Sequence, residues 1–84
     1  MNATELRSAV LDALQEIAPE ADLSILSEDA DIRDELDLDS MDFLNFMIGI
    51  HERTGIDVPE RDYPRLGTLR AALGFLSRQS GGAA

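Results

Sequence analysis

Apolar positions along the chain fall into three helical stripes, with one long stretch that keeps no period. Leu6, Val10, Ala13, Leu14 and Ile17 recur at three- and four-residue spacing and predict an amphipathic first helix. Asn2 and Glu5 have the spacing of a capping pair, and Ala18-Pro19 ends the helix because a residue before proline avoids helical dihedrals. Residues 40–54 predict a second helix with Phe43, Leu44, Met47, Ile48 and Ile50 on its apolar face. Asp42, Asn45, Glu52 and Arg53 lie largely outside that face. Gly55 suits the left-handed position past its end. Pro59 opens a short third segment, about residues 60–64, halted near Pro64. Thr68 caps a last helix carrying Leu69, Ala72, Leu73 and Leu76. Ser80 to Ala84 read as a flexible tail.

Between the first two helices, residues 19–39 scatter Leu23, Ile25, Leu26, Ile32, Leu36 and Leu38 among acids. A loop this long is uncommon in a compact domain unless it is functional. Its apolar residues are expected to pin it over the core, with a short helical turn near Asp29 to Leu36. No strand alternation and no internal repeat is visible. The prediction is one all-α domain over residues 1–84. It is a small bundle of three main helices plus a short one, with a long loop between helices one and two.

Composition narrows the function. The 84 residues include 17 acids against 7 bases, all of them Arg, for a net charge of -10, and there is no Cys or Trp. Without Cys, a disulfide framework or a Cys-ligated metal site is impossible. Such a negative field repels phosphate backbones, so nucleic-acid binding is not expected. No apolar run is long enough to span a membrane, and Met1 to Arg7 lack a signal-peptide layout. A cytoplasmic monomer is the expectation. A domain of this size also has little material to enclose both a substrate and a catalytic constellation, which favours a binding or carrier module. The charge is concentrated: residues 20–42 hold ten acids and only Arg33, while residues 43–84 are close to neutral. That run is either a solvated loop or a docking surface for basic partners.

Ser40 is the residue of interest, where the acidic loop meets the second helix. Its simplest reading is a helix cap, which position alone favours. A hydroxyl there also faces orphan N–H groups that suit a phosphate, although Asp39 and Asp42 oppose one. Each of these terms is about 1 kcal/mol at an exposed site, so electrostatics leaves both readings open. Independent catalysis fails on reach. The single His, His51, is eleven residues along the same helix, roughly 16 Å away at about 1.5 Å per residue. The Asp-rich stretch fits no calcium-loop register: from Asp29 the sixth and twelfth residues are Asp34 and Ser40, and from Asp37 they are Asp42 and Ile48. Catalytic and metal residues are therefore expected to be absent. Phe43, Phe46 and Tyr63 line either a ligand cavity or the core, and Gly49 either allows close helix packing or leaves room for a cargo.

The segment Leu36-Asp37-Leu38-Asp39-Ser40-Met41-Asp42, at the head of a central helix in an acidic chain of this length, resembles an acyl carrier protein. Gly55 to Glu60 and Thr68 to Leu73 resemble that family's exit from helix two and entry to helix four, so the likeness covers nearly the whole chain. The resemblance implies that Ser40 is esterified by 4′-phosphopantetheine. A phosphopantetheinyl transferase takes that group from coenzyme A with magnesium, and the arm's thiol then carries an acyl group as a thioester. The carrier makes no bonds itself. Partner acyl-activating or acyl-transfer enzymes with basic docking patches do, and Asp39, Met41, Asp42 and Glu52 would form the docking face. Phe46, Met47, Ile50, Val58, Tyr63 and Leu66 are the candidates for an acyl pocket.

Met41 replaces a usual Leu, Asn45 and His51 stand where the family is often acidic, and Thr54 stands where an apolar residue is common. These departures imply a specialised carrier. The Met1 start and short tail lead to the expectation that it stands alone. An aminoacyl or peptidyl carrier, or an acidic adaptor that binds without covalent modification, are the alternatives.

Overall fold

A computed structural model describes residues 1–82 of the chain. Four α-helices appear in the order α1 (Ala3–Ile17), α2 (Ile32–Glu35), α3 (Ser40–Thr54) and α4 (Leu69–Ser77). Two 3-10 segments, Leu23–Ile25 and Glu60–Leu66, and one π-type turn, Arg78–Gly82, complete the path. No strand forms among the described residues, and the all-α expectation holds; a single bridge joins Asp31 to Thr68.

Helix α1 starts where its polar residues dictate. The Glu5 N–H donates to Asn2 Oδ1 at 2.8 Å and the Asn2 N–H returns to Glu5 Oε1 at 2.9 Å, so two orphan donors are satisfied reciprocally. The helix stops before Ala18-Pro19 as its sequence requires. Gln15 closes that end by donating to the carbonyls of Ala18, Pro19 and Ala21. Leu6, Ala9, Val10, Ala13 and Leu14 are buried, and α1 packs on α3 and α4.

Gly49 explains how closely α1 and α3 approach. A Cβ there would sit 3.2 Å from the Ala13 methyl and 3.2 Å from the Arg53 guanidinium. The glycine therefore serves close packing. Arg53 spans the same contact, donating to the Gly49 carbonyl at 3.2 Å and pairing with Glu16 of α1.

The long loop is pinned at both ends of its acidic stretch. Ile32 is fully buried and Leu38 nearly so, with Leu23, Leu26 and Leu36 half-buried against the core. Ile25 is the exception, with 81% of its surface exposed. Backbone bonds fix the loop to the far end of the chain: the Ile32 N–H donates to the Gly67 carbonyl at 2.9 Å and the Arg70 N–H to the Glu28 carbonyl at 3.0 Å. Arg7 of α1 reaches Glu28 at 2.6 Å, and Arg70 of α4 reaches Asp29 at 2.7 Å.

The single turn α2 ends in a Schellman arrangement. The Leu38 N–H donates to the Arg33 carbonyl at 2.9 Å and the Asp37 N–H to the Asp34 carbonyl at 3.4 Å. Asp37 takes the left-handed position at φ 53°, which an L-residue other than Asn or Asp strongly resists.

Several details of the expected elements change. The third segment runs on through Pro64 to Leu66. In a 3-10 segment one missing donor costs little, because fully buried Leu66 and packing on α4 hold the path. The buried face of α3 is Phe43, Phe46, Met47, Gly49 and Ile50, whereas Leu44 and Ile48 point outward. Likewise α4 buries Phe75 with Leu69, Ala72 and Leu76, and Leu73 is only half-buried. Of the tail expected over 80–84, residues 80–82 belong to the π-type turn, and residues 83–84 lie outside the described part.

Candidate functional site

Ser40 is the first residue of α3, and a capping box holds it there. Asp39 is the N-cap: the Asp42 N–H donates to its Oδ1 at 2.8 Å, and the Asp39 N–H donates to Asp42 Oδ2 at 3.2 Å. Both neighbouring carboxylates are thus committed to backbone amides. The cap reading therefore belongs to Asp39, which leaves the exposed Ser40 hydroxyl free of that duty.

That hydroxyl opens on a cleft of about 600 Å³ between the head of α3 and the 3-10 segment. Asp31, Arg33, Met41, Phe43, Leu44, Glu60, Tyr63, Pro64 and Gly67 line the rest of it. Phe43 packs edge-on to Phe46 with centroids 5.8 Å apart and to Tyr63 at 6.2 Å. Phe46 belongs to the core, so the aromatic trio divides: Phe43 and Tyr63 line the cleft and Phe46 supports Phe43 from behind. Among the six residues named for an acyl pocket, only Tyr63 lines this cleft. Phe46, Met47, Ile50, Val58 and Leu66 sit in the packed core.

Arg33 is the residue that sequence reasoning passed over. It counted only as the one base in an acidic run. In the fold its Nη2 donates to Ser40 Oγ at 3.4 Å, and its guanidinium carbon stands 5.6 Å from the Phe43 ring centroid. The expected helical turn near Asp29 to Leu36 accounts for α2, but the reversal at Asp37 that brings Arg33 back to Ser40 has no pattern in the apolar spacing.

The outward face of α3 carries Met41, Leu44 and Ile48, exposed by 64%, 38% and 46%. Asp39 and Asp42 stand at one end of this strip and exposed Glu52 near the other. Asp42 is half-buried by its cap duty. Met41 and Leu44 lie towards the cleft, while Ile48 and Glu52 border a shallow groove against α1 with Asn45 and Glu16. His51 is exposed at the far end of α3, its Nδ1 3.1 Å from the Ile56 carbonyl, and serves that turn.

Electrostatics separates the loop's acids into two groups. Glu28 is held below the ordinary carboxylate range, first by its hydrogen bond from Arg7. Asp29 is lowered by its hydrogen bond from Arg70, and Arg70 is raised in return. Asp22 is lowered by the Ser24 hydroxyl and N–H. Glu28 and Asp29 bind the loop to α1 and α4, and Asp22 caps the first 3-10 turn. Asp34, Glu35, Asp37 and Asp39 remain exposed along the run that leads to Ser40. Among the described residues no cluster of three or more His, Asp or Glu converges as a metal site, and no helix is long and apolar enough to cross a membrane.

The site suits a phosphate ester of serine. Its hydroxyl is exposed, the Ser40 and Met41 N–H groups at the head of α3 have no intrahelical acceptor, a guanidinium is already at the oxygen, and an open cleft adjoins it. No curated protein matches the sequence closely enough to name a relative. The family model for phosphopantetheine attachment sites, however, matches residues 6–76, from the buried stripe of α1 to the last core leucine of α4. The chain therefore belongs to the phosphopantetheine-attachment family and is a carrier protein for covalently bound 4′-phosphopantetheine.

Proposed function

We propose that Ser40 is the attachment point, and that the chain is an acyl carrier protein serving partner enzymes of fatty-acid, lipid, polyketide or related biosynthesis. One observation carries the choice of Ser40: among the serines of the matched span it alone opens on the cleft. Ser24 donates to Asp22, Ser27 accepts the Asp29 N–H, and Ser8 lies on the surface of α1. When bound, the group supplies a long arm ending in a thiol that holds an acyl group as a thioester.

The chain's own part is to present an oxygen at a fixed place. Asp39 and Asp42 lock the head of α3, so the Ser40 oxygen is held on a rigid element. Each of the two carboxylates spends one oxygen on a cap bond, and His51 is roughly 16 Å away along α3, so no histidine stands at the Ser40 hydroxyl. The base is proposed to come from the transferase.

Partner enzymes are proposed to dock on the outward face of α3. The apolar strip of Met41, Leu44 and Ile48 offers contact area, and Asp39, Asp42 and Glu52 at its ends would meet a basic rim. Work as a monomer in the cytoplasm accords with the small acidic fold. An acyl chain entering the core among Phe46, Met47, Ile50, Val58 and Leu66 would have to displace fully packed side chains.

Incubation with coenzyme A, magnesium and a broad-range transferase tests the reading by intact mass. The wild type should gain one phosphopantetheine and Ser40→Ala none. No gain with several transferases, or an equal gain in the variant, overturns it. Intact mass of the protein taken from its native host then separates an acyl from an aminoacyl cargo. Partner binding that survives Ser40→Ala undiminished would favour the non-covalent adaptor instead.

A further inference from the structure

We propose that Arg33 is a built-in anchor for the phosphodiester at the root of the arm. The inference rests on Ser40 being the attachment point and adds a residue to it. Arg33 stands in the most acidic stretch of the chain, among ten acids between residues 20 and 42. Yet among the described residues its guanidinium pairs with no carboxylate, whereas Arg7, Arg53, Arg65 and Arg70 all do; Arg61 and Arg78 pair with none either, but of these three only Arg33 donates to another side chain. It is turned instead to the Ser40 oxygen at 3.4 Å and over the Phe43 ring at 5.6 Å.

Three features hold it there. Asp31 caps the turn that carries it, accepting the N–H groups of Arg33 and Asp34. The left-handed Asp37 folds the chain back, so that Leu38 enters the core and Ser40 arrives beside the start of the same turn. The Phe43 face then supports the guanidinium plane, which favours Arg over Lys. A phosphoryl group bonded to Ser40 Oγ keeps its anionic oxygens two bonds from the atom to which Arg33 already donates. The guanidinium fork is matched to such oxygens, and the bond becomes charge-assisted on loading. The anchor also offsets the repulsion between the phosphodiester and the carboxylates nearby, exposed Asp39 beside Ser40 and Asp31 and Glu60 in the cleft wall. It holds the arm's root towards the cleft side of α3.

The test compares wild type, Arg33→Gln and Arg33→Lys, each as apo protein and after loading, with intact mass confirming the loaded state. Phosphorus NMR reads the phosphodiester, and proton–nitrogen spectra read the Arg33 side chain and the Phe43, Leu44 and Tyr63 amides. An exposed ion pair shifts the ratio of anchored to free arm by about 1.5- to 5-fold. A population-averaged shift is therefore expected. The loaded wild type should differ from loaded Arg33→Gln in its phosphorus line, its Arg33 Nε–H should move on loading, and both effects should shrink as salt rises. Arg33→Lys should fall between the two. Loading without any phosphorus difference overturns the anchor and leaves Ser40 standing. A difference between variants that is already complete in the apo spectra reduces Arg33 to a structural role and also overturns it. No mass gain in any of the three overturns the attachment reading and the anchor together.

Discussion

At the residue scale, identity and environment decide which substitutions matter. Phe46 is fully buried and props the cleft-lining Phe43 from behind. Phe46→Ala should therefore cost about 3–5 kcal/mol in denaturant unfolding, and should loosen the cleft as well. Gly49 gives a sharper test of packing. Its replacement by Ala gains about 1 kcal/mol of helix propensity, which the 3.2 Å approach to Ala13 offsets, so the net change should be small. Gly49→Leu has no such compensation and should destabilise by about 2–3 kcal/mol, read as a lower midpoint in the same assay.

At the element scale, two short features set the site. The first is the Asp39–Asp42 capping box. Asp39→Ala removes both cap and charge and should cost about 0.5–2 kcal/mol. Asp39→Asn keeps the acceptor for the Asp42 N–H while removing the charge. Its stability should stay near wild type, and only the salt-dependent part of the transferase rate should fall. Equal rates for wild type and Asp39→Asn across a salt series would remove Asp39 from the docking face. The second feature is the left-handed Asp37. A β-branched residue cannot take φ 53° without strain, so Asp37→Val should cost about 1–2 kcal/mol by thermal unfolding. Through the reversal it controls, the same change should also weaken the Arg33 contact with Ser40.

At the scale of the whole molecule, charge does two jobs. Glu28 and Asp29, clamped by Arg7 and Arg70, tie the acidic loop to α1 and α4. Their carboxyls are lowered in the fold, so their contribution is fully present above the ordinary carboxylate range. It is lost as pH falls through the lowered values. Thermal unfolding should therefore show a gap between wild type and Arg70→Gln at neutral pH that closes in acid and narrows in high salt, since the pairs are exposed. Exposed Asp34, Glu35, Asp37 and Asp39 are the acids proposed to meet a basic partner. The acidic run is thus not a plain solvated loop, because its early part is tied into the fold.

Much of this architecture was legible from local rules. The Asn2–Glu5 box, the stop at Ala18-Pro19, the left-handed Gly55 and the Thr68 cap follow from residues within four or five positions of each other, where backbone sterics and unpaired N–H groups decide. Helix existence followed from apolar spacing, and Leu36 to Asp42 carried the family resemblance. Other outcomes required the fold. Leu44 and Ile48 look like core by spacing, yet α1 packs on the opposite side of α3, so they face solvent. Phe46 takes the interior place because it points at that covered side. Glu28 and Asp29 look like surface charge until Arg7 and Arg70 arrive from the two ends of the chain. Arg33 shows the limit most directly. In one continuous helix a seven-residue separation would leave it about 10 Å from Ser40 along the axis, and a single left-handed residue between them makes the contact instead. Sequence by itself determined the helices, their caps and the candidate serine, because those depend on neighbours along the chain. Tertiary structure decided which faces are buried and which charges are free to act, because those depend on residues brought together from a distance.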